Sequence, residues 1–149
     1  MNDDERNLEI QGLAADLFEV AGVMRRDGEA IARRVGQSQA RWQVMWVAAT
    51  GELTVPTIAR RLGVTRQHVQ RTANGLVADR LATFDANPDH RRSRLLRLTP
   101  RGHEILEEIN RGAAQRNLQT AAELGDDGTR RLRELLDRVR RALRTPPPA

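Results

Sequence analysis

Apolar residues recur at helical steps along most of this chain. Ile10, Leu13, Leu17, Val20 and Met24 fall three or four apart, which predicts a long helix over residues 8–33 with one apolar stripe. Trp42, Met45, Trp46 and Ala49 repeat the pattern more densely over 39–50. A short helix follows at 55–62, with Thr54 suited to its cap, Pro56 to its first turn, and Ile58, Ala59 and Leu62 to its inner face. Gly63 suits a left-handed C-terminal cap. Thr65 then caps a helix to about Arg80, with Val69, Thr72, Ala73, Leu76 and Val77 inward.

At Leu81 the period changes. "LATFDA" and "RLLRLT" read as extended, and "NPDHRRS" between them is turn-rich, so a hairpin with an arginine-rich tip is expected. Thr99 and Pro100 form another cap and first turn, opening a helix over 100–121. A break at 124–128 precedes a last helix over 129–144, striped by Leu132, Leu135, Leu136, Val139 and Leu143. "TPPPA" reads as a frayed tail. The predicted fold class is mostly α, four helices, a small β-hairpin and two further helices. The expected organisation is 1–50 for N-terminal helices, 51–99 for a central domain and 100–149 for C-terminal helices. The striped terminal helices suit dimerisation; the alternative is that they fold back on their own core.

The spacing of Ile58, Ala59, Leu62, Gly63, Val64, Val69 and Thr72 is that of a helix-turn-helix. Ala59 is small where the second helix crosses, Gly63 makes the turn, and Val64 and Val69 pin the two helices together. The second helix is thereby presented outward, and its first turns carry Thr65, Arg66, Gln67, His68, Gln70, Arg71 and Asn74. Arg bonds guanine bidentately in a major groove, and Gln or Asn bonds adenine. Periodicity turns Arg66, Gln67, Gln70, Arg71 and Asn74 away from Val69, Ala73 and Leu76. Thr65 is better suited to capping and a phosphate contact than to base reading. The hairpin tip beside this helix, with Arg91, Arg92 and then Arg94, reads as a wing that grips phosphates or a narrow minor groove. The other reading of the tip is a solvated turn.

Charge sharpens this picture. All 25 basic residues are Arg, against 20 acids. Ten of the arginines fall between Arg60 and Arg101, where the only acids are Asp79, Asp85 and Asp89. A basic field confined to the helix-turn-helix and hairpin suits a polyanionic partner. The absence of Cys excludes disulfides, thiolate metal sites and a thiol switch. His68, His90 and His103 lack metal-ligand spacing, so no metal or other cofactor is expected. No Gly-rich phosphate loop or nucleophile elbow is present, so an enzyme is not expected. The acidic start "MNDDERNLEI" is unlike a signal peptide and no apolar run is long enough for a membrane span, which makes a cytoplasmic location the expectation.

From "ELTVPTIARRLGVTRQHVQRTANGLVADRL" through "NPDHRRSRLLRLTPRG" the chain resembles the MarR family of winged-helix transcription regulators. The resemblance rests on the helix-turn-helix, the arginine tip, and Leu98, Thr99 and Gly102 at the next helix start. It implies a winged helix-turn-helix between dimerisation helices, and a homodimer straddling a palindromic operator with half-sites about one helical turn apart. It also implies a repressor released by a small-molecule effector, although some members activate. Three positions depart from the family pattern. Arg80 stands where Gly is usual, Phe84 where Arg is frequent, and His90 where an Asp braces the wing-tip arginine; Asp89 is the nearest substitute. An effector pocket would draw on Phe18, Trp42, Met45 and Trp46, with Arg41 and His103 as anchors for a small aromatic or anionic ligand; core packing is the other use of those large side chains. The rival functions are a winged-helix protein-interaction module and a nonspecific architectural DNA binder without ligand response.

Overall fold

Side-chain caps set the helix starts. Asn2 accepts the Glu5 N–H, and the Glu5 carboxylate accepts the Asn2 N–H, both at 2.8 Å. This capping box opens α1 (Asp3–Arg33) ahead of its first periodic apolar residue. Ser38 caps α2 (Gln39–Ala48), accepting from the Arg41 N–H. The computed structural model describes residues 2–144, and the sequence-predicted tail at 145–149 lies outside them. After α2 come β1 (Leu53–Thr54), α3 (Val55–Leu62), α4 (Arg66–Ala78), β2 (Ala82–Asp85), β3 (Leu95–Leu98), α5 (Pro100–Leu124) and α6 (Gly128–Arg144). The mostly α class with a small hairpin is as the sequence predicts.

Gly63 takes φ 66, the left-handed conformation that glycine adopts without penalty, and Val64 N–H closes back on Ala59 C=O at 3.1 Å. Thr65 caps α4 by accepting the His68 N–H at 3.1 Å. The Thr54 hydroxyl makes no cap bond; it pairs with the Thr57 hydroxyl instead. Val69, Ala73 and Leu76 are fully buried, as expected, but Val64 lies exposed at the rim of the turn. Val69 alone therefore supplies the pin that the spacing assigned to both valines.

The sheet holds one strand more than the predicted hairpin. β3 is central, pairing antiparallel with β2 (Phe84 opposite Leu96) and with the two-residue β1 (Leu53 opposite Leu96). Arg97 ties this ladder together by ion pairs to Asp85 (2.8 Å) and to Glu52.

By contacts the chain falls into two compact units, the first ending at Gly112 and the second starting at Ala113. The core of the first gathers Val44 and Met45 of α2, Ile58 of α3, Val69 and Leu76 of α4, Leu96 of β3 and Ile109 of α5. Each such side chain contributes about 1.5–3 kcal/mol relative to exposure. Glu29 of α1 also accepts the N–H of Gln39, the first residue of α2, at 2.7 Å. In the second unit Leu132, Leu135 and Leu136 of α6 are exposed, and Asp137 pairs with Arg140 and Arg141. On α1, Ile10, Leu13, Val20 and Met24 are likewise exposed. Among the described residues no helix is long and apolar enough to cross a membrane.

Candidate nucleic-acid interface

One groove joins the second helix of the helix-turn-helix to the hairpin. Arg66, Gln67, Gln70 and Asn74 form one wall; Phe84, Arg92, Ser93 and Arg94 form the other; Val55 and Pro56 close the end. Its volume is about 590 Å³. Six of the ten residues put forward for DNA contact thus face one another. Gln70 donates its amide N–H to the Asn74 side-chain oxygen at 2.9 Å, which links two residues of this wall.

The other four stand apart. Thr65 is the cap of α4. Arg71 is exposed on α4 and Arg91 on the tip, and neither lines the groove. His68 turns to a separate hollow shared with α1 and α2.

Charge pairing separates the arginines into two kinds. Arg41, Arg97 and Arg101 are neutralised by Asp79 (2.6 Å), by Asp85 and Glu52, and by Glu104 (3.1 Å). Arg66, Arg71, Arg91 and Arg92 are exposed and have no carboxylate partner among the described residues. A guanidinium held in water without a counter-charge is a ready donor to phosphate or to a base edge.

Each departure from the family pattern has a structural counterpart. Arg80 adopts φ 59 and is the non-glycine residue with positive φ among those described. It follows the C-cap of α4 in a Schellman turn: Leu81 N–H bonds Leu76 C=O at 2.8 Å and Arg80 N–H bonds Val77 C=O at 3.0 Å. Phe84 receives Arg94, whose guanidinium lies 5.5 Å from the ring centroid and donates to the Phe84 carbonyl. At the tip neither His90 nor Asp89 pairs with Arg91 or Arg92 among the described residues. The loop itself is tied by the Asn87 side chain, which donates to Ser93 C=O at 2.9 Å and accepts the Asp89 N–H at 3.0 Å. Sequence reasoning passed over Asn87 and Phe84 as site residues. The Asn-Pro pair marked a turn, but nothing local marked its side chain as the strut.

Thr99 and Gly102 anchor the base of the wing. The Thr99 hydroxyl donates to Arg80 C=O (2.8 Å) and accepts the Gly102 N–H (3.0 Å), while the Thr99 N–H bonds Leu81 C=O (3.0 Å). A Cβ on Gly102 would lie 2.0 Å from the Leu81 carbonyl oxygen. The end of α4, the hairpin and the start of α5 thus meet on three residues.

Of the residues expected to form an effector pocket, Arg41, Trp42, Met45 and Trp46 share α2, Phe18 is on α1 and His103 is on α5. Met45 is fully buried in the core. Trp42 donates its indole N–H to Asn110 at 3.0 Å. Arg41 is held by Asp79. Phe18 is 79% exposed and Trp46 56% exposed, and His103 is exposed as well. Among the described residues no group of three or more His, Asp or Glu is placed to hold a metal.

A helix-turn-helix backed by a three-stranded wing, with unpaired arginines lining the groove between them, defines a winged helix-turn-helix DNA-binding protein. A sequence model described as "MarR family" matches residues 37–93. The chain belongs to the MarR family, whose members are DNA-binding transcriptional regulators and not enzymes. It is 47% identical over 140 residues to uncharacterised proteins of Mycobacterium tuberculosis and Mycobacterium bovis, covering 94% of this chain and 98% of theirs. Among solved structures it resembles a MarR/EmrR family regulator from Acinetobacter sp. ADP1 (TM-score 0.79, 21% identity, 96% of this chain and 98% of that one). It also resembles a mutant Escherichia coli MarR complexed with operator DNA (TM-score 0.72, 22% identity, 88% and 95%). A third likeness is to Staphylococcus aureus MarR in complex with salicylate and kanamycin (TM-score 0.74, 17% identity, 93% and 95%).

Proposed function

We propose that this regulator acts as a homodimeric, sequence-specific repressor that binds a palindromic operator and is released by a small-molecule effector. The carrying observation is the groove in which Arg66, Gln67, Gln70 and Asn74 oppose Arg92 and Arg94. Arg66, Gln67 and Arg71 are the base readers; Arg91, Arg92 and Arg94 grip phosphate or the minor groove. Residues 51–99 carry DNA recognition, and the helices of 1–50 and 100–149 carry dimerisation, in keeping with the exposed apolar stripes on α1 and α6.

The test separates readers from grips. Arg66→Ala or Gln67→Ala should relax base preference by about 1–3 kcal/mol at one position. Arg91→Ala or Arg92→Ala should weaken binding to all duplexes alike and lower the salt slope by about 1. Equal behaviour of both groups would overturn the assignment. For the effector, salicylate bound to the S. aureus relative suggests aromatic acids as the first probes. Quenching of the Trp42 and Trp46 fluorescence by such acids, together with duplex release, is expected; no quenching across a panel of such acids would count against a site at α2.

A polar recognition helix speaks against the protein-interaction reading, since interface cores favour aromatics and deplete charge.

A further inference from the structure

The first turn of α4 has a second charged flank, opposite the wing. There Val64 and His68 border a hollow of about 650 Å³ whose other walls are Arg25, Arg26 and Arg33 of α1 and Gln39 and Gln43 of α2. Its charge is unbalanced. Glu29 also lines it, but its carboxylate is committed to Arg33 at 2.9 Å and to the Gln39 N–H at 2.7 Å. Arg25 and Arg26 remain, both exposed and without an ion-pair partner among the described residues. Two adjacent uncompensated guanidiniums repel one another, and nothing in the fold of α1 requires them.

A helix inserted into a major groove about 12 Å wide lies between two phosphodiester strands. In the DNA-binding reading the wing groove, with Arg92 and Arg94, would meet one strand. The other strand would then pass the flank of α4 where His68 and Val64 open onto the α1 arginines. We propose that Arg25 and Arg26 form a phosphate clamp for this second strand, adding backbone contacts from the long N-terminal helix to those of the helix-turn-helix and wing. The proposal rests on the DNA-binding reading above and extends it to a part of the chain outside residues 51–99. Each clamp contact carries affinity and no base preference.

The experiment measures duplex affinity by fluorescence anisotropy over a range of chloride concentrations, for wild type, Arg25→Gln/Arg26→Gln and Arg25→Lys/Arg26→Lys. Thermal melts confirm that each variant is folded, as expected for exposed side chains. The glutamine variant should lose about 0.9 from the log–log salt slope for each phosphate contact removed, with base preference unchanged. The lysine variant should keep the wild-type slope, because an ammonium still neutralises a phosphate. A glutamine variant with the slope and affinity of wild type overturns the clamp while leaving the DNA-binding reading intact. Wild type that binds no duplex overturns both. Inorganic phosphate that releases the duplex from wild type but not from the glutamine variant, at equal ionic strength, makes the hollow a small-anion site and overturns the assignment to DNA.

Discussion

Arg80 sits in a backbone conformation that costs an ordinary residue roughly 1–2 kcal/mol, at φ 59. Glycine there removes that penalty and adds roughly 0.5–1 kcal/mol of unfolded-chain entropy. Arg80→Gly should therefore raise stability by up to about 1 kcal/mol in urea unfolding, while Arg80→Ala should not. Equal stability of the two variants would mean that the turn carries no strain. Gly102 is the opposite case, a position where only a hydrogen fits. Its would-be Cβ meets the Leu81 carbonyl oxygen at 2.0 Å, a backbone atom that cannot step aside alone. Gly102→Ala should cost about 1–3 kcal/mol and shift the base of the wing. A melting temperature matching wild type would contradict the close approach. Both positions stood out in the sequence only as a family pattern kept or broken. The reason for the pattern, a left-handed turn and a helix start pressed against it, needs the folded chain.

Among elements, helices were legible where caps and period agree. Thr65, Gly63 and Thr99 each announced an end that the structure confirms. β1 was not legible, because two residues carry no period and their pairing partner lies in β3, more than forty residues on. The same distance hid which arginines are neutralised. Arg97 pairs with Glu52 and Arg41 with Asp79, contacts made between separate elements, so a count of charges along the chain could not separate structural arginines from free ones. Val64 illustrates the limit of spacing: an apolar residue in the right place lies exposed beside the hollow lined by α1 and α2, while Val69 is fully buried. The join between α1 and α2 makes a pH prediction. Glu29 is held below its ordinary value near 4.5, first by the Gln39 N–H and then by Arg33, against the opposing effect of burial. A depressed folded value means that the stabilisation is complete above the unfolded value and is lost as pH falls through the folded one. Glu29→Gln should therefore flatten part of the acid limb of stability below about pH 4.5 and leave its shape at neutral pH unchanged. An acid limb identical to that of wild type would remove Glu29 from the account.

For the whole chain, the proposed homodimer would be formed through the stripes of α1 and α6. Leu8, Ile10, Phe18 and Met24 on α1 and Leu132, Leu135 and Leu143 on α6 are all exposed. Sedimentation at micromolar concentration should give a dimer. A single chain at that strength would remove the basis for a two-fold operator. The most direct measurement of the central claim is selection of bound fragments from a random duplex pool by the purified protein in low salt, followed by sequencing. An inverted repeat whose halves lie about one helical turn apart should be enriched, and the enrichment should vanish in a variant carrying Arg66→Ala and Gln67→Ala. A pool that stays random after repeated rounds, or enriches equally with that variant, would contradict the claim.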